Sequence, residues 1–221
     1  MRRAVGAEFE KNVFINCPFD DGYVSLLRPL LFVVIFLGFN PKIASERSDS
    51  FESRIHKIRG LIHISKFSIH DLSLLQSSKK NEFYRMNMPF ELGIDYGCKS
   101  FSTGRLGEKR CLIIAKAKYD YVKALSDLSG VDIKSHNAKP ADLIRAVRNW
   151  FVETVELPSV PGATSIWKQF NNFMAAFYVQ REQEGFSAED LDFMPVPEFI
   201  GFIRQWVRDQ GEPDSGVQLQ T

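Results

Sequence analysis

Val13-Phe-Ile-Asn16 is a short β-rich run, and it stops at Cys17-Pro18. The next long segment, Asp21 to Leu37, has the length of a helix and is followed by Gly38, a residue that commonly ends helices. The start of the chain therefore predicts a strand, a turn and a helix in that order. Leu30 to Leu37 is strongly apolar but too short to span a bilayer, so we interpret it as part of a buried helix.

The same alternation of strand and helix continues along the chain. Further short apolar strands are predicted at Pro41–Ser45, Phe67–His70, Cys111–Ala115 and Val131–Ile133. Further helices are predicted after a Ser50 cap with Ile55, Ile58 and Ile62 on one face, and then at Pro89–Cys98, Tyr119–Leu128 and Ala141–Val155. This alternation predicts an α/β fold, a flavodoxin-like parallel sheet of about five strands with helices on both faces.

Leu157-Pro-Ser-Val-Pro-Gly162 interrupts the alternation, and no convincing strand follows it. We therefore expect an α/β domain over residues 1–157 and a helical C-terminal extension over residues 158–221, with a frayed tail after Gln210. Apolar residues repeat at helical spacing in the extension, at Ile166, Phe170, Phe173 and Phe177 and again at Phe199, Phe202, Ile203 and Trp206. These stripes favour a helical core or a docking surface over a ligand-binding box.

Composition narrows the function classes. The formal net charge of +1 argues against a broad nucleic-acid-binding surface, so nucleic acid is an unlikely partner. Cys17, Cys98 and Cys111 form no CxxC pair and have apolar neighbours, which indicates reduced, buried thiols in a cytoplasmic protein. We expect no disulfide and no metal site. No apolar segment directly follows the N-terminal arginines, so we expect neither a secretion signal nor a membrane association.

Asn87-Met-Pro-Phe-Glu91-Leu-Gly-Ile-Asp95-Tyr-Gly-Cys98 places the Glu91 carboxylate between two large apolar residues. Because proline is tolerated in the first turn, we expect a helix to begin at about Pro89. A first-turn carboxylate is stabilised by the helix dipole, which is an ordinary structural use of glutamate. The alternative is a catalytic carboxylate, and it gains support from the segments predicted to lie near Glu91.

In a parallel α/β sheet the ligand site forms at the carboxyl ends of the strands. Two strand ends, Phe14 to Asp20 and Ile69 to Ser73, should meet the turn that bears Glu91. Desolvation against Phe and Pro would raise the pKa of Glu91, while Asp71 in a more polar setting would stay ionised and hold hydroxyl groups. Such a pair suits cleavage of a bond to a sugar, in which one carboxylate attacks or stabilises the oxocarbenium-like carbon.

The strand-one motif VFINCPFD resembles the opening "YLAGPxF" of nucleoside 2-deoxyribosyltransferases. The segments IHDLS and MPFELGIDYGCK resemble their later Asp and their "ELG(Y/F)AxxxGK" segment. The layout also resembles Toll/interleukin-receptor (TIR) domains, which have a strand-one "VFIS" and a downstream catalytic Glu for NAD cleavage. The resemblance covers roughly Asn12 to Ile133. In both families the corresponding Glu acts at the sugar carbon, so the resemblance implies that Glu91 is the catalytic residue.

The resemblance implies an enzyme that breaks an N-glycosidic bond in a nucleotide or nucleoside, with NAD as the favoured substrate and no cofactor. Water as the acceptor would give hydrolysis, and a second base would give transfer. The resemblance also implies a bacterial anti-phage effector that a signal or a partner assembles. The helical extension has no counterpart in either family, and its aromatic stripes are the expected surface for self-assembly or for a partner protein. By position, or as a match to the families, the expected substrate-binding residues are Phe14, Asn16, Phe19, Asp20, Asp71, Arg85 and Asn87.

Several alternatives stay open on sequence alone. The chain can be a non-catalytic module that senses a nucleotide or assembles with a partner. Asp71 can cap a turn with Ser73, and Asn16 can satisfy backbone groups of a loop. The polar segment from Leu74 to Tyr84 has the length of a mobile rim. A nucleophile–base pair of Cys17 and a nearby histidine is disfavoured because nothing local lowers the thiol pKa.

Overall fold

The computed structural model describes residues 7–18, 21–75, 86–157 and 159–211. The predictions for Phe19, Asp20 and Arg85, and for most of the rim from Leu74 to Tyr84, fall outside these residues. The strands are β1 (Asn12–Asn16), β2 (Asn40–Ile43), β3 (Phe67–Asp71), β4 (Arg110–Ala115) and β5 (Lys134–Ser135). The α-helices that matter below are α1 (Val24–Phe36), α2 (Arg54–His63), α3 (Asn87–Ser100), α4 (Pro140–Val155), α5 (Ala163–Gln183), α6 (Ala188–Asp192) and α7 (Val196–Asp209).

All five strands are parallel and form one sheet in the order β2-β1-β3-β4-β5. Helices α1 and α4 pack on one face of this sheet, while α2 and α3 pack on the other. The predicted flavodoxin-like α/β fold with a helical extension is therefore confirmed. Among the described helices, none combines the length and the apolar character that crossing a membrane requires.

Some predicted boundaries were wrong. Helix α2 is capped by Ser53, whose hydroxyl accepts from the His56 amide at 3.4 Å, and not by Ser50. The segment predicted as a helix at Tyr119–Leu128 instead forms two short 3-10 turns, because the buried Tyr121 hydroxyl donates to backbone carbonyls and folds the segment back on itself. The fifth strand is only Lys134–Ser135, which follows the predicted position.

Helix α1 is buried on nearly every side because it lies between the sheet and the C-terminal extension. Its residues contact strands and α4 on one side, and α5 and α7 on the other. Phe32 is fully buried, with ring centroids 5.4 Å from Phe170, 5.6 Å from Phe173 and 5.7 Å from Trp206. The aromatic stripes of the extension therefore complete the core over α1, which explains why α1 has no polar face.

Arg28 of α1 anchors the extension. Its guanidinium donates to the Tyr178 hydroxyl at 2.8 Å and to the Leu191 carbonyl, and it lies over the Phe199 ring at 5.1 Å from the centroid. One cation on α1 thus contacts α5, α6 and α7. These contacts orient the extension, whereas the aromatic burial supplies most of its stabilisation.

We expect Phe32→Ala to lower the free energy of unfolding by about 3–5 kcal/mol, because it removes a buried ring that four aromatic neighbours contact. Phe101→Ala is the matched control, since that ring is 92% exposed and its loss should change stability by less than about 0.5 kcal/mol. Urea unfolding followed by circular dichroism measures both. Equal stability of the two variants would contradict the packing of the extension on α1.

Candidate functional site

The two faces of the sheet differ in chemistry. The face under α1 and α4 is lined by apolar side chains, among them Val13, Ile15 and Ile69. The opposite face, under α2 and α3, carries buried polar residues at Asn12, Asn16, Ser68 and His70. Buried polar groups lower stability unless they have hydrogen-bond partners. Their presence on this second face indicates a functional rather than a packing role.

The polar residues lie beside the topological switch point of the sheet. From β1 the chain moves to β2 on one side, whereas β3 lies on the other side of β1. In sheets of this order, ligands bind in the crevice at the carboxyl ends of the two strands that flank the switch point. Asn16 and His70 are paired in register at the carboxyl ends of β1 and β3. The predicted convergence of these two strand ends is therefore observed.

Glu91 faces the sheet and not the solvent. Helix α3 begins at Asn87 and not at Pro89, so Glu91 lies beyond the first turn, where the dipole interaction is weaker. Only 4% of the residue is exposed. Arg54, the first residue of α2, donates from Nη2 to Glu91 Oε1 at 3.2 Å and keeps half of its own side chain exposed. The interpretation of Glu91 as an ordinary first-turn carboxylate was therefore wrong.

Burial raises the pKa of Glu91, and the charge and hydrogen bond of Arg54 oppose this effect only in part. Among the described residues, the ion-pair partner of the nearly buried Glu91 carboxylate is the half-exposed Arg54, an arrangement that is unusual for a structural glutamate. Perturbed carboxylates of this kind cluster at functional sites.

The orientation of the Asn16 side chain can be assigned from its partners. Its Nδ2 donates to the Met88 carbonyl at 3.0 Å and to His70 Nδ1 at 2.9 Å. Because a carbonyl can only accept, the atom that faces Met88 must be the amide nitrogen. His70 Nδ1 then accepts from the same nitrogen and carries no proton, so the ring proton is on Nε2.

His70 continues this network into helix α3. Its Nε2 lies 3.1 Å from Asp95 Oδ2, and Asp95 Oδ1 lies 3.2 Å from Lys109 Nζ. The Lys109 ammonium also donates to the carbonyls of Ile62, at 2.9 Å, and Ser65, at the carboxyl end of α2. A cation is favoured at that end of a helix by the dipole. This chain of contacts ties β1, β3, α3 and α2 together below the surface.

Burial disfavours the charged form of Asp95, yet the hydrogen bond from His70 and the charge of Lys109 lower its pKa to about 2. Asp95 and Glu91 are four residues apart on one face of α3, and each has a cation of its own. The difference is that Lys109 is as buried as Asp95, whereas Arg54 is half exposed. Asp95 is therefore paired with a buried cation, whereas the cation beside Glu91 is half exposed.

His70 and Asp95, together with Cys111, form one cluster within the described residues whose ligand atoms all lie within 4.8 Å of one another. The donor set does not fit a metal ion. His70 Nε2 uses its proton on Asp95, and Asp95 faces an ammonium group. A cation would compete with Lys109 for the same carboxylate.

Asp71 lies in a second cluster, with Tyr23, Ser73 and His136. It is fully buried and accepts from the Tyr23 hydroxyl, from the Ser73 amide at 2.8 Å and from the Ser73 hydroxyl. His136 Nε2 lies 3.2 Å from its Oδ2. The turn with Ser73, one of the two alternatives for Asp71, is therefore present. Asp71 ties the loop after β1 to the ends of β3 and β5.

Ser73, His136 and Asp71 are not a catalytic triad. His136 Nε2 lies 2.8 Å from the Ser73 hydroxyl, but its Nδ1 accepts from the Ala138 amide at 3.1 Å. The ring proton is therefore on Nε2, so this nitrogen cannot take the serine proton. The cluster holds loops together.

Other predicted residues lie elsewhere. Phe14 is in the middle of β1, fully buried against Ile58 and Ile62 and edge-to-face with His70, so it presents no face to a base. Asn87 is exposed at the start of α3. Cys17 is buried, and burial followed by the charges of nearby carboxylates raises its pKa well above the ordinary value, which keeps it a neutral thiol.

A cavity of about 1020 Å³ lies between α3, β4 and the segment that connects β4 to β5. The 3-10 turns of that connection form part of its wall. Cys111 is exposed to this cavity and Cys98 is half-buried, so the prediction of three buried thiols was correct only for Cys17. The walls of the cavity are mainly apolar, and they include Leu92, Tyr96, Leu125, Ile133 and Trp150.

Sequence reasoning missed two parts of the site. It did not include Arg54 among the expected site residues, although the start of α2, where this arginine lies, is at the same edge of the sheet as the carboxyl end of β3. It did not connect His70 with Asp95, because residues on a strand and on a helix have no shared spacing. Comparisons with models of protein families, with curated proteins and with solved structures found no match.

We expect Asp95→Asn to lower the free energy of unfolding, by an amount that depends on pH. Because the native pKa of Asp95 lies below the ordinary value of 3.8, its contribution is present above about pH 4 and is lost as the pH falls towards about 2. At pH 6 the loss should be at least about 2 kcal/mol, since an unpaired buried Lys109 remains. Urea unfolding between pH 2 and 6 measures it, with the exposed Asp192→Asn as control. A difference that does not shrink at low pH would contradict the assignment.

We expect Glu91→Gln to be at least as stable as the natural chain at pH 7. A raised native pKa means that the folded state holds its proton more tightly, so stability falls as the pH rises above the unfolded value of 4.5. A neutral amide removes this cost, and the half-exposed Arg54 loses little. The same urea titrations at pH 4 and 7 test it, with the exposed Glu182→Gln as control. A clear destabilisation at pH 7 would show that Glu91 is structural.

Proposed function

We propose that this protein is an N-glycosidase that cleaves the bond between base and ribose in a nucleotide, with Glu91 as the catalytic carboxylate. The observation that carries the proposal is the nearly buried Glu91 carboxylate beside the β1–β3 switch point, with half-exposed Arg54 as its observed ion-pair partner. Cleavage at the sugar carbon develops positive charge on the ribose. A carboxylate in a site with little water stabilises that charge more strongly than one in solvent.

The chemistry needs one carboxylate in two steps. The bond between the base and the ribosyl carbon breaks, its electron pair leaves with the base, and Glu91 attacks or stabilises the carbon. Water then adds its oxygen to the carbon and releases a proton, which gives hydrolysis; a second base in place of water gives transfer. The charge and hydrogen bond of Arg54 favour the ionised form of Glu91 and oppose in part the rise in its pKa that burial causes.

NAD suits this site better than an ordinary nucleoside. Its nicotinamide is a pyridinium that leaves as a neutral base, so it needs no proton from a general acid. Among the described residues at the carboxyl end of the sheet, Asp71 is hydrogen-bonded to buried protein donors and Asp95 is paired with the buried Lys109. Glu91 is the carboxylate whose cation is half exposed. Among the described residues the site thus offers Glu91 and no second carboxyl group as a proton donor, which favours a leaving group that is already cationic. The resemblance to TIR domains supports the same substrate and a role as an anti-phage effector.

A non-catalytic interaction module is the second candidate, and the outer face of α3 favours it. Met86, Phe90 and Phe101 lie in or next to this helix and are 53%, 61% and 92% exposed. Clustered exposed apolar side chains of this size are typical of surfaces that bind a partner or a second copy. This surface is also compatible with an enzyme that works only after assembly.

We expect the natural chain to release nicotinamide from NAD, and Glu91→Gln to reduce the rate by at least about a thousandfold, as for loss of a nucleophile. Chromatography of NAD, NADP, adenosine and 2′-deoxyadenosine reactions, over a range of protein concentrations, measures the base released. Glu182→Gln makes the same chemical change on an exposed part of α5 and should leave the rate unchanged.

Two outcomes would reject the proposal. Base release that persists in Glu91→Gln would show that another group acts at the sugar carbon. No release from any of these compounds, at any protein concentration, would favour the interaction module. In that case the Glu91→Gln protein should still assemble or bind as the natural chain does.

A further inference from the structure

Asn16 holds a hydrogen-bond acceptor that nothing in the described structure uses. Its amide nitrogen donates both of its hydrogens, to Met88 and to His70. Its Oδ1 atom is buried and has no hydrogen-bond partner. The residue is 1% exposed, so bulk water does not satisfy this oxygen.

The Asn16 side chain cannot turn over to relieve this situation. A flipped amide would place its oxygen against the Met88 carbonyl, and two acceptors repel each other. His70 reinforces the orientation, because its Nε2 proton is already committed to Asp95 and its Nδ1 must accept. The network therefore presents Oδ1 in a fixed direction, although a buried acceptor without a partner destabilises the fold.

The Asn16 side chain is hydrogen-bonded to the helix that bears the proposed catalytic group. Met88, which accepts from Asn16, is in the turn of α3 that precedes Glu91. Asn16 is at the carboxyl end of β1, on the same face of the sheet as Glu91 and His70. A ligand whose reacting carbon meets Glu91 would therefore bring the groups on the neighbouring carbon close to Asn16.

We propose that Asn16 Oδ1 accepts a hydrogen bond from the 2′-hydroxyl of the substrate ribose, so that the site selects ribonucleotides over 2′-deoxyribonucleotides. This inference rests on the proposed function. The oxygen accepts and cannot donate, which fits a hydroxyl and excludes a carbonyl or phosphate oxygen at this position. The 2′-hydroxyl is attached to the carbon next to the one that reacts. A site built to bind a hydroxyl discriminates strongly against the analogue that lacks it.

The test changes the substrate first, so that it does not depend on the folding of a variant. Binding to Glu91→Gln protein is measured by calorimetry with NAD and with two analogues that lack the 2′- or the 3′-hydroxyl of the nicotinamide ribose. We expect loss of the 2′-hydroxyl to weaken binding by about tenfold to a hundredfold, and loss of the 3′-hydroxyl to have a smaller effect. The natural chain provides the corresponding kcat/KM values.

The matched variant adds Asn16→Ala to Glu91→Gln. It should bind NAD and the 2′-deoxy analogue with nearly equal affinity, whereas Asn172→Ala, on the exposed side of α5, should keep the preference in the same background. Circular dichroism shows whether the Asn16 variant is folded, and the analogue series on Glu91→Gln protein decides the question if it is not.

The possible results separate this inference from the proposed function. Equal binding of NAD and the 2′-deoxy analogue, a larger loss with the 3′-deoxy analogue, or a preference that survives in folded Asn16→Ala protein would overturn the role of Asn16. Nicotinamide release by the natural chain would still support the glycosidase. If NAD neither binds nor reacts, both proposals fail together.

Discussion

The hydrogen-bonded chain from Asn16 through His70 to Asp95 is the interaction on which the rest of the site depends. It joins β1, β3 and α3, and Lys109 extends it to the end of α2. Because Glu91 and Asp95 share one face of α3, the contact that anchors Asp95 also turns Glu91 towards the sheet. The catalytic carboxylate proposed above therefore owes its buried position to a network that it does not itself join.

The two faces of the sheet have different roles: one packs the main core, and the other carries the polar residues of the candidate site. The α1 face is apolar and continues into the aromatic core of the extension, where Phe32 meets side chains from α5 and α7. The α3 face contains charges and amides that weaken packing unless they are paired. A large apolar core on one side compensates for the polar face on the other, which is a common arrangement where a site is built into a small domain.

The fold was largely predictable because it follows from local patterns. Short apolar strands separated by amphipathic helices leave few arrangements other than a covered parallel sheet. The prediction failed where local pattern and tertiary contact disagree. The segment after β4 has helical composition, yet the buried Tyr121 hydroxyl holds it in 3-10 turns. Helix α3 begins before its proline, which moved Glu91 out of the first turn.

The sequence by itself determined which residue types were available and where the strands end, because strand and helix periodicity are properties of neighbouring residues. It therefore identified Glu91, Asn16 and Asp71 as candidates. Only the tertiary structure decided their states: Asp71 is engaged by loops, Asn16 is held by His70, and Glu91 is paired with Arg54. These outcomes depend on distances between atoms far apart in the chain, and burial and charge act through those distances.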